Sequence, residues 1–541
     1  MPSCKAPEIL RNEAYLNVRC NDEGRGKRSR WAFFSSLSGD RMDFLVNLFQ
    51  GFSIALSPWN LVFAAIGAVI GTAIGVLPGL GPPATVALLL PVTYKMDPAS
   101  ATIMLAGIFY GAMYGGSTTS ILLNIPGEAA SVVTCLDGYK MARQGRAGPA
   151  LGISAIGSFI AGTISVFGMS LVAPSLASFA LKFGPPEYFS LVLLGLIMAV
   201  YLSEESIIKG LAMVALGLLL GTVGIDPVHG ATRFTFGVSR LLDGFDFVVV
   251  AMGLFGISEV LINLEAPEIR DIFKTSFKGL LPTKEDWRRC WAPVLRGSFL
   301  GFFIGVLPGG GAIISSFVSY AVEKRVSKHP EQFGKGAIEG VAAPESANNA
   351  ASTSSFIPLL TLGIPGNATI AMIFVALMIH GIRPGPLLLQ EHPNLFWGVI
   401  ASMYIGNIML LALNLPLIGV WVRLLKVPYH FLAVVVVIIC VIGAYSVKNA
   451  VFDVGTMVAF GVMGYLMRKG GFPPAPLILA MILGPILERS LQQSLISSGG
   501  DPSLFVEKPI SAALLCVAAF LMLTPILKRL LKRKTLTGSA G

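Results

Sequence analysis

The chain has 541 residues, of which 54% are hydrophobic and only 13% charged. A soluble domain carries about 25% charged residues, so this composition excludes an ordinary soluble protein and predicts an all-α polytopic membrane protein of about 10–12 spans. The net charge of +10 fits Lys and Arg in cytoplasmic loops; no basic face alternates with aromatics, so nucleic acid is not expected as a partner.

Residues 1–41 are polar, with the basic cluster Arg25, Lys27, Arg28 and Arg30. Met42-Asp43-Phe44 then opens a fresh amphipathic stretch. Residues 1–41 are expected to be disordered, or an extension ahead of a natural start at Met42. Residues 44–57 are short for a span and suit the interface. Residues 60–77 form the first firm membrane helix, ended by Pro78-Gly79, and 84–94 are too short to cross. Residues 99–114 carry Gly107, Gly111 and Gly115 on one helix face, where another helix can approach closely. The polar run Gly116 to Ser120 follows, then Asn124 and a Pro126-Gly127 break. After a basic loop with Lys140, Arg143 and Arg146, residues 151–176, 189–202, 208–223 and 247–264 read as spans. Residues 265–290 are the longest charged loop and the natural seam, read as a cytoplasmic linker between a first unit, 42–264, and a second, 291–430. The second unit opens with apolar residues 291–307, a Gly309–Gly311 break, a short apolar piece at 312–322 and the basic loop Lys324, Arg325, Lys328 and Lys335. A polar, small-residue run at 344–355 follows, then 359–364 and the break Pro365-Gly366-Asn367. Residues 431–541 supply C-terminal helices and a basic cytoplasmic tail.

The seam divides two related halves. Gly71–Gly81 (GTAIGVLPGLG) recurs as Gly301–Gly311 (GFFIGVLPGGG), and Ile125-Pro126-Gly127 recurs as Ile364-Pro365-Gly366. Backbone that leaves helical geometry at membrane depth survives only inside protein or beside a watery cavity. The amide ends of broken helices attract anions and their carbonyl ends attract cations, and matched breaks in two halves point to a transporter site at the midplane. The candidate substrate- or ion-binding residues are therefore Gly79, Gly81 and Thr85 at the first break and Gly309, Gly310 and Gly311 at its copy. Ser117, Thr118, Thr119, Ser120, Asn124, Pro126 and Gly127 belong to the second break, and Pro365, Gly366 and Asn367 to its copy. The polar run adds Glu345, Asn348, Asn349, Ser352 and Thr353. Two readings stay open for each serine or asparagine: a ligand, or a hydrogen bond joining helices. Glu345 is the sharpest position, because a carboxylate near membrane depth is costly; the alternative is a loop residue capping the next helix. No catalytic role is assigned. There is no GxxxxGK[ST] phosphate loop, no HExxH pair and no GxSxG elbow, and the cysteines show no metal-ligand spacing.

These stretches carry a resemblance. GVLPGLGP at 75–82, YGGSTTSILLN at 114–124 followed by Pro126-Gly127, AAPESANNAA at 342–351 and GIPG at 363–366 resemble the large membrane subunit of tripartite tricarboxylate transporters, the TctA family, over about residues 42–530. The resemblance implies a multi-pass permease of the bacterial inner (plasma) membrane. It works with a small membrane subunit and a periplasmic solute-binding protein that delivers a carboxylate. It implies secondary transport of tricarboxylates such as citrate, without organic cofactors, driven by a gradient of sodium or protons, with sodium a candidate occupant of the helix breaks. An ion channel or a non-transporting membrane scaffold is the alternative; a channel would show charge rings or a repeated carbonyl filter, and neither is evident.

Loop charge adds an orientation. The loop at 93–100 holds only Lys95, whereas its counterpart holds Lys324, Arg325, Lys328 and Lys335. After the second break the bias reverses: Lys140, Arg143 and Arg146 in the first half, only Arg383 in the second, with Glu391 nearby. The positive-inside rule then predicts two inverted repeats, with Lys95 and Glu391 outside and Arg143 and Lys328 inside.

Overall fold

The structure is a computed structural model that describes residues 44–77, 81–201, 206–226, 230–265, 279–309, 311–425 and 427–537. The extension 1–41, Gly79, Gly310 and most of the seam lie outside the described residues. The fold is helical, with one two-residue hairpin pairing Gly224–Ile225 to Thr232–Arg233. Helix α1 covers Phe44–Ala55, and the helices from α2 onward belong to one unit, Gln50–Gly541.

The first half begins with α2 (Pro58–Val76), α3 (Pro82–Thr93), α4 (Pro98–Leu123) and α5 (Val132–Arg143). Pro58, at the first helical position, has its ring where no amide hydrogen is needed, and Ser57 caps the helix by accepting from the Asn60 amide. Asp97 does the same for α4, accepting from the Ala99 and Ser100 amides at 3.0 and 3.3 Å. Then come α6 (Ala147–Ala180), which packs against α13, and α7 (Pro185–Tyr201) and α8 (Ile207–Gly221), then α9 (Phe247–Ala251), which runs through a π-helical turn at Met252–Ile257 into α10 (Ser258–Glu265). The second half repeats the opening: α11 (Lys284–Gly305), α12 (Gly311–Val326), then α13 (Glu339–Ser354) continued by α14 (Phe356–Leu362), then α15 (Ala368–Ile379). The chain ends with α16 (Leu388–Glu391), α17 (Pro393–Asn414), α18 (Ile418–Leu424), α19 (Tyr429–Lys448), α20 (Val451–Lys469), α21 (Pro474–Ser497), α22 (Leu504–Glu507) and α23 (Pro509–Thr537).

Two glycine ladders make the halves alike. On α2, a Cβ at Gly67, Gly71 or Gly75 would lie 2.3–2.4 Å from the carbonyl oxygens of Met104, Ile108 and Ala112 on α4. On α11, a Cβ at Gly297, Gly301 or Gly305 would lie 2.3–2.5 Å from those of Ala343, Ala347 and Ala351 on α13. Backbones this close exclude any larger residue, as at small-residue interfaces of membrane helices. Residue numbers rise together along both contacts, so α2 runs parallel to α4 and α11 parallel to α13. Between halves the sense is opposite: α4 passes α13 with Phe109 against Phe356, ring centroids 6.2 Å apart, and Ser117 bonded to Glu345.

Among the described residues, seven helices are long and apolar enough to cross a membrane: α2, α6, α9–α10, α17, α19, α20 and α21. The expected piece at 84–94 is short because a break cuts it, as α3 of 12 residues shows, and α15, also 12 residues, follows the second break of the other half without having been expected. Two polar runs behave differently from their composition. Gly116–Ser120 continues α4 without interruption, and 344–354 lies inside α13. Most of their hydroxyls return to backbone carbonyls three or four residues earlier, as Ser120 does to Gly116 and Thr353 to Asn349, so burial between helices keeps them helical.

Candidate functional site

The second breaks of the two halves share one design. Asn124 ends α4 at φ 58° and Gly363 ends α14 at φ 70°. This left-handed turn closes a helix C-terminus and favours Gly or Asn. Ile-Pro-Gly follows in both, and then a side chain that caps the next helix: Glu128 accepts from the Ala130 amide at 2.6 Å, and Asn367 from the Ile370 amide at 2.9 Å. The breaks also fold onto the first breaks of their own halves. A Cβ at Gly127 would lie 2.0 Å from the Gly75 carbonyl oxygen, and the Gly309 amide donates to the Gly366 carbonyl at 2.6 Å.

Where the halves meet, α13 presents Glu345 to α4 and α5. Glu345 is 1% exposed and sits in the body of α13, so the helix-cap alternative does not apply. Its two carboxylate oxygens accept from the hydroxyls of Ser117 and Thr134. One residue pair along, Asn348 donates to Glu128 at 3.0 Å, and Asn349 donates to Ser158 on α6 at 2.6 Å and to the Glu345 carbonyl at 3.1 Å. Ser120 bonds Ser131 at 2.9 Å. Neither Glu128 nor Glu345 forms an ion pair among the described residues. Three buried atoms of α13 lack partners there: the Asn348 and Asn349 side-chain oxygens and the Ser346 hydroxyl. Beside them a cavity of about 10 Å³, room for one water, is lined by Tyr110, Tyr114, Asn349, Thr353 and Asn407. The Tyr110 hydroxyl there is also unpartnered, while Tyr114 donates to Asn407 at 2.5 Å.

The site is therefore rich in oxygen acceptors and lacks a fixed cation. Two carboxylates and two free amide oxygens attract a small cation or a proton. Anions are served by free helix N-termini, and two of these are already occupied by Glu128 and Asn367. The N-terminus of α3 has no side-chain cap at Gly81. Among the described residues no group of three His, Cys, Asp or Glu is placed to hold a metal ion.

The candidate residues sort accordingly. Ser117, Glu345, Asn348 and Asn349 come together, with Thr119 and Ser120 in the adjacent turn. Thr118 is buried on α4, and Ser352 and Thr353 bond the Asn349 carbonyl. Thr85 bonds Gly81 within its own helix turn at 3.2 Å. Asn124 and Pro126 are exposed at the outer edge of the break, whereas Pro365 is buried. Gly311 opens α12 against Gly305, its Cβ position 3.1 Å from the Gly305 Cα. Sequence reading missed Thr134, Ser158, Tyr110 and Asn407. Asn407 had a usable signal, a lone amide in an apolar span; Thr134 had none.

A family profile described as Tripartite tricarboxylate transporter TctA family matches residues 61–479. Two relatives come from Agrobacterium vitis. An "Uncharacterized 52.8 kDa protein in TAR-I ttuC' 3'region" is 52% identical over 476 residues, covering 88% of this chain and 95% of that protein. An "Uncharacterized protein in TAR-II ttuC' 3'region" is 52% identical over 231 residues, 42% of this chain and 96% of its own length. No solved structure matches this chain.

Proposed function

We propose a function from the premise that this chain belongs to the tripartite tricarboxylate transporter TctA family: it is the permease subunit that moves a carboxylate across the bacterial inner membrane, driven by a cation gradient. Its partners are a small membrane subunit and a periplasmic solute-binding protein that supplies the carboxylate. The observation that carries this reading is the junction of the two halves, where buried Glu345 and partly buried Glu128 lie without a counter-cation among the described residues, beside free amide oxygens. Uncompensated carboxylates at such depth are unfavourable unless a proton or metal cation joins them. A driving cation at Glu345 and Glu128 gives that ligand side chains that suit its charge, whereas the start of α3, with Pro82 and Pro83 at its first two positions and the Thr85 amide donating to the Gly81 carbonyl at 3.2 Å, offers an anion few amide donors.

The two halves are inverted repeats in this reading. Its support is the parallel packing within each half and the antiparallel course of α4 and α13. The loop ends agree with it: the Gln144 side chain at the end of α5 donates to the Lys335 carbonyl at 2.8 Å, while His380 at the end of α15 lies beside Thr93 and Asp97. The basic loops then share one side and the sparsely charged loops the other. Inverted repeats permit access to alternate from side to side by moving one part against another.

The test is uptake of labelled di- and tricarboxylates into proteoliposomes holding both membrane subunits, with the binding protein outside. An imposed sodium or proton gradient should drive accumulation above equilibrium, and Glu345→Gln should change the dependence on that cation. Equilibration without accumulation would favour a channel, and no flux at all a scaffold.

A further inference from the structure

A cavity of about 360 Å³ lies away from the polar junction, between α7, α15, α21 and the loop after α15. None of the junction's hydroxyls, amides or carboxylates lines it. Tyr188, Phe247, Phe374 and Ile486 give it aromatic and aliphatic walls, and two arginines, Arg383 and Arg489, stand among them. Its size falls in the range of pockets that enclose an organic ligand.

Both arginines are exposed where they line the cavity. Arg146, Arg233, Arg289, Arg296 and Arg468 each pair with a carboxylate. Arg383 and Arg489 form no ion pair among the described residues. The carboxylate next to Arg489 in sequence, Glu488, is taken by Arg233 at 2.7 Å. Two guanidinium groups bordering apolar walls present planar donors to an acidic group, while the walls favour hydrocarbon.

We propose that this cavity binds an anionic amphiphile, with an acidic headgroup at Arg383 and Arg489 and a hydrocarbon chain along Tyr188, Phe374 and Ile486. The same chemistry comes from a membrane phospholipid or from a free fatty acid. Leu362, Gly363 and Ile364 at the second break line the cavity directly, and a close contact ties that break to the arginine loop. Gly363, at φ 70°, ends α14 so close to the loop carrying Arg383 that a Cβ there would lie 2.5 Å from the Pro384 carbonyl oxygen. A ligand that holds Arg383 therefore holds this loop on the break, and favours whichever transport state has the loop seated.

The full chain, purified in detergent and exchanged into phosphatidylcholine nanodiscs, would be titrated with phosphatidylglycerol and separately with dodecanoate, with retained ligand counted by native mass spectrometry. Wild type should retain one or both in preference to phosphatidylcholine, and R383Q/R489Q should weaken retention about tenfold or more. Ile486→Trp, which fills the cavity and keeps both charges, should also weaken it. Phosphatidylglycerol retained alone identifies a lipid site, and dodecanoate retained with competition identifies a site open to free acids. Equal retention by the double variant, equal retention of phosphatidylcholine, or displacement by citrate would overturn the proposal. Binding is read without transport, so this failure is separate from failure of the carboxylate-transport reading.

Discussion

Removal of the Asp137 carboxylate tests how the two halves are joined. Asp137, on α5 of the first half, is fully buried. One of its oxygens accepts from the amides of Gly334, Gly336 and Ala337 at 2.8, 2.7 and 2.9 Å, and the other from the Tyr320 hydroxyl at 2.9 Å. All four donors belong to the second half. A hydrogen bond to an ionised group contributes about 1.5–3 kcal/mol, but four on one carboxylate are not additive. In Asp137→Ala the Gly334 and Gly336 amides, which are partly exposed, can turn to water; the buried Ala337 amide cannot. The expected loss is about 3–5 kcal/mol, which raises the population of the released loop by about 10²–10⁴-fold. Asp137→Asn keeps an oxygen for the amides, and Tyr320 can accept from the new amide group, so about 1 kcal/mol and roughly fivefold are expected. Hydrogen–deuterium exchange of peptides covering residues 334–341 reads this directly, because amide exchange reports local opening. Exchange should rise in the order wild type, Asp137→Asn, Asp137→Ala. Unchanged exchange in Asp137→Ala would refute the assignment of this carboxylate as the anchor of the 334–341 loop on α5.

Gly71→Ala and Gly301→Ala each press a methyl group onto a backbone carbonyl across a helix pair, so each should destabilise by about 1–3 kcal/mol. Gly419→Ala, where no atom lies within 4 Å of the new Cβ, should stay near wild type when thermal unfolding in detergent is compared. Glu345→Ala leaves the Ser117 and Thr134 hydroxyls without their acceptor, at about 1–3 kcal/mol, and should abolish gradient-driven uptake; Glu345→Gln should fold and alter only the cation dependence. Single cysteines replacing Lys95, Arg143, Lys328 and Glu391, in a background without native cysteines, test the inversion. An impermeant thiol reagent outside spheroplasts should label the first and last and spare the other two, and labelling of 95 together with 328 would refute it.

The breaks were legible because their causes are local. Proline lacks an amide donor and glycine accepts left-handed backbone, so Pro78-Gly79, Pro126-Gly127, Pro308-Gly309 and Pro365-Gly366 announce themselves, and their duplication announces two halves. The spacing of Gly107, Gly111 and Gly115 likewise said that another helix comes close. It did not say which one, since a stripe of small residues records an approach and not its partner. Helical state is hidden where composition and burial disagree: 116–120 and 344–354 look like polar loops, yet between neighbouring helices their hydroxyls bond their own backbone and the helix continues. The candidate site depended still more on tertiary structure. Glu345 meets Ser117 and Thr134 across 228 and 211 residues of chain, and Glu128 meets Asn348 across 220. No periodicity encodes such pairs. They exist because α4 and α13 pass antiparallel, each carried by the glycine-packed helix pair of its own half, α2 with α4 and α11 with α13. The sequence by itself determined where the Pro-Gly breaks fall; packing decided how far the helices between them run and which polar groups face each other.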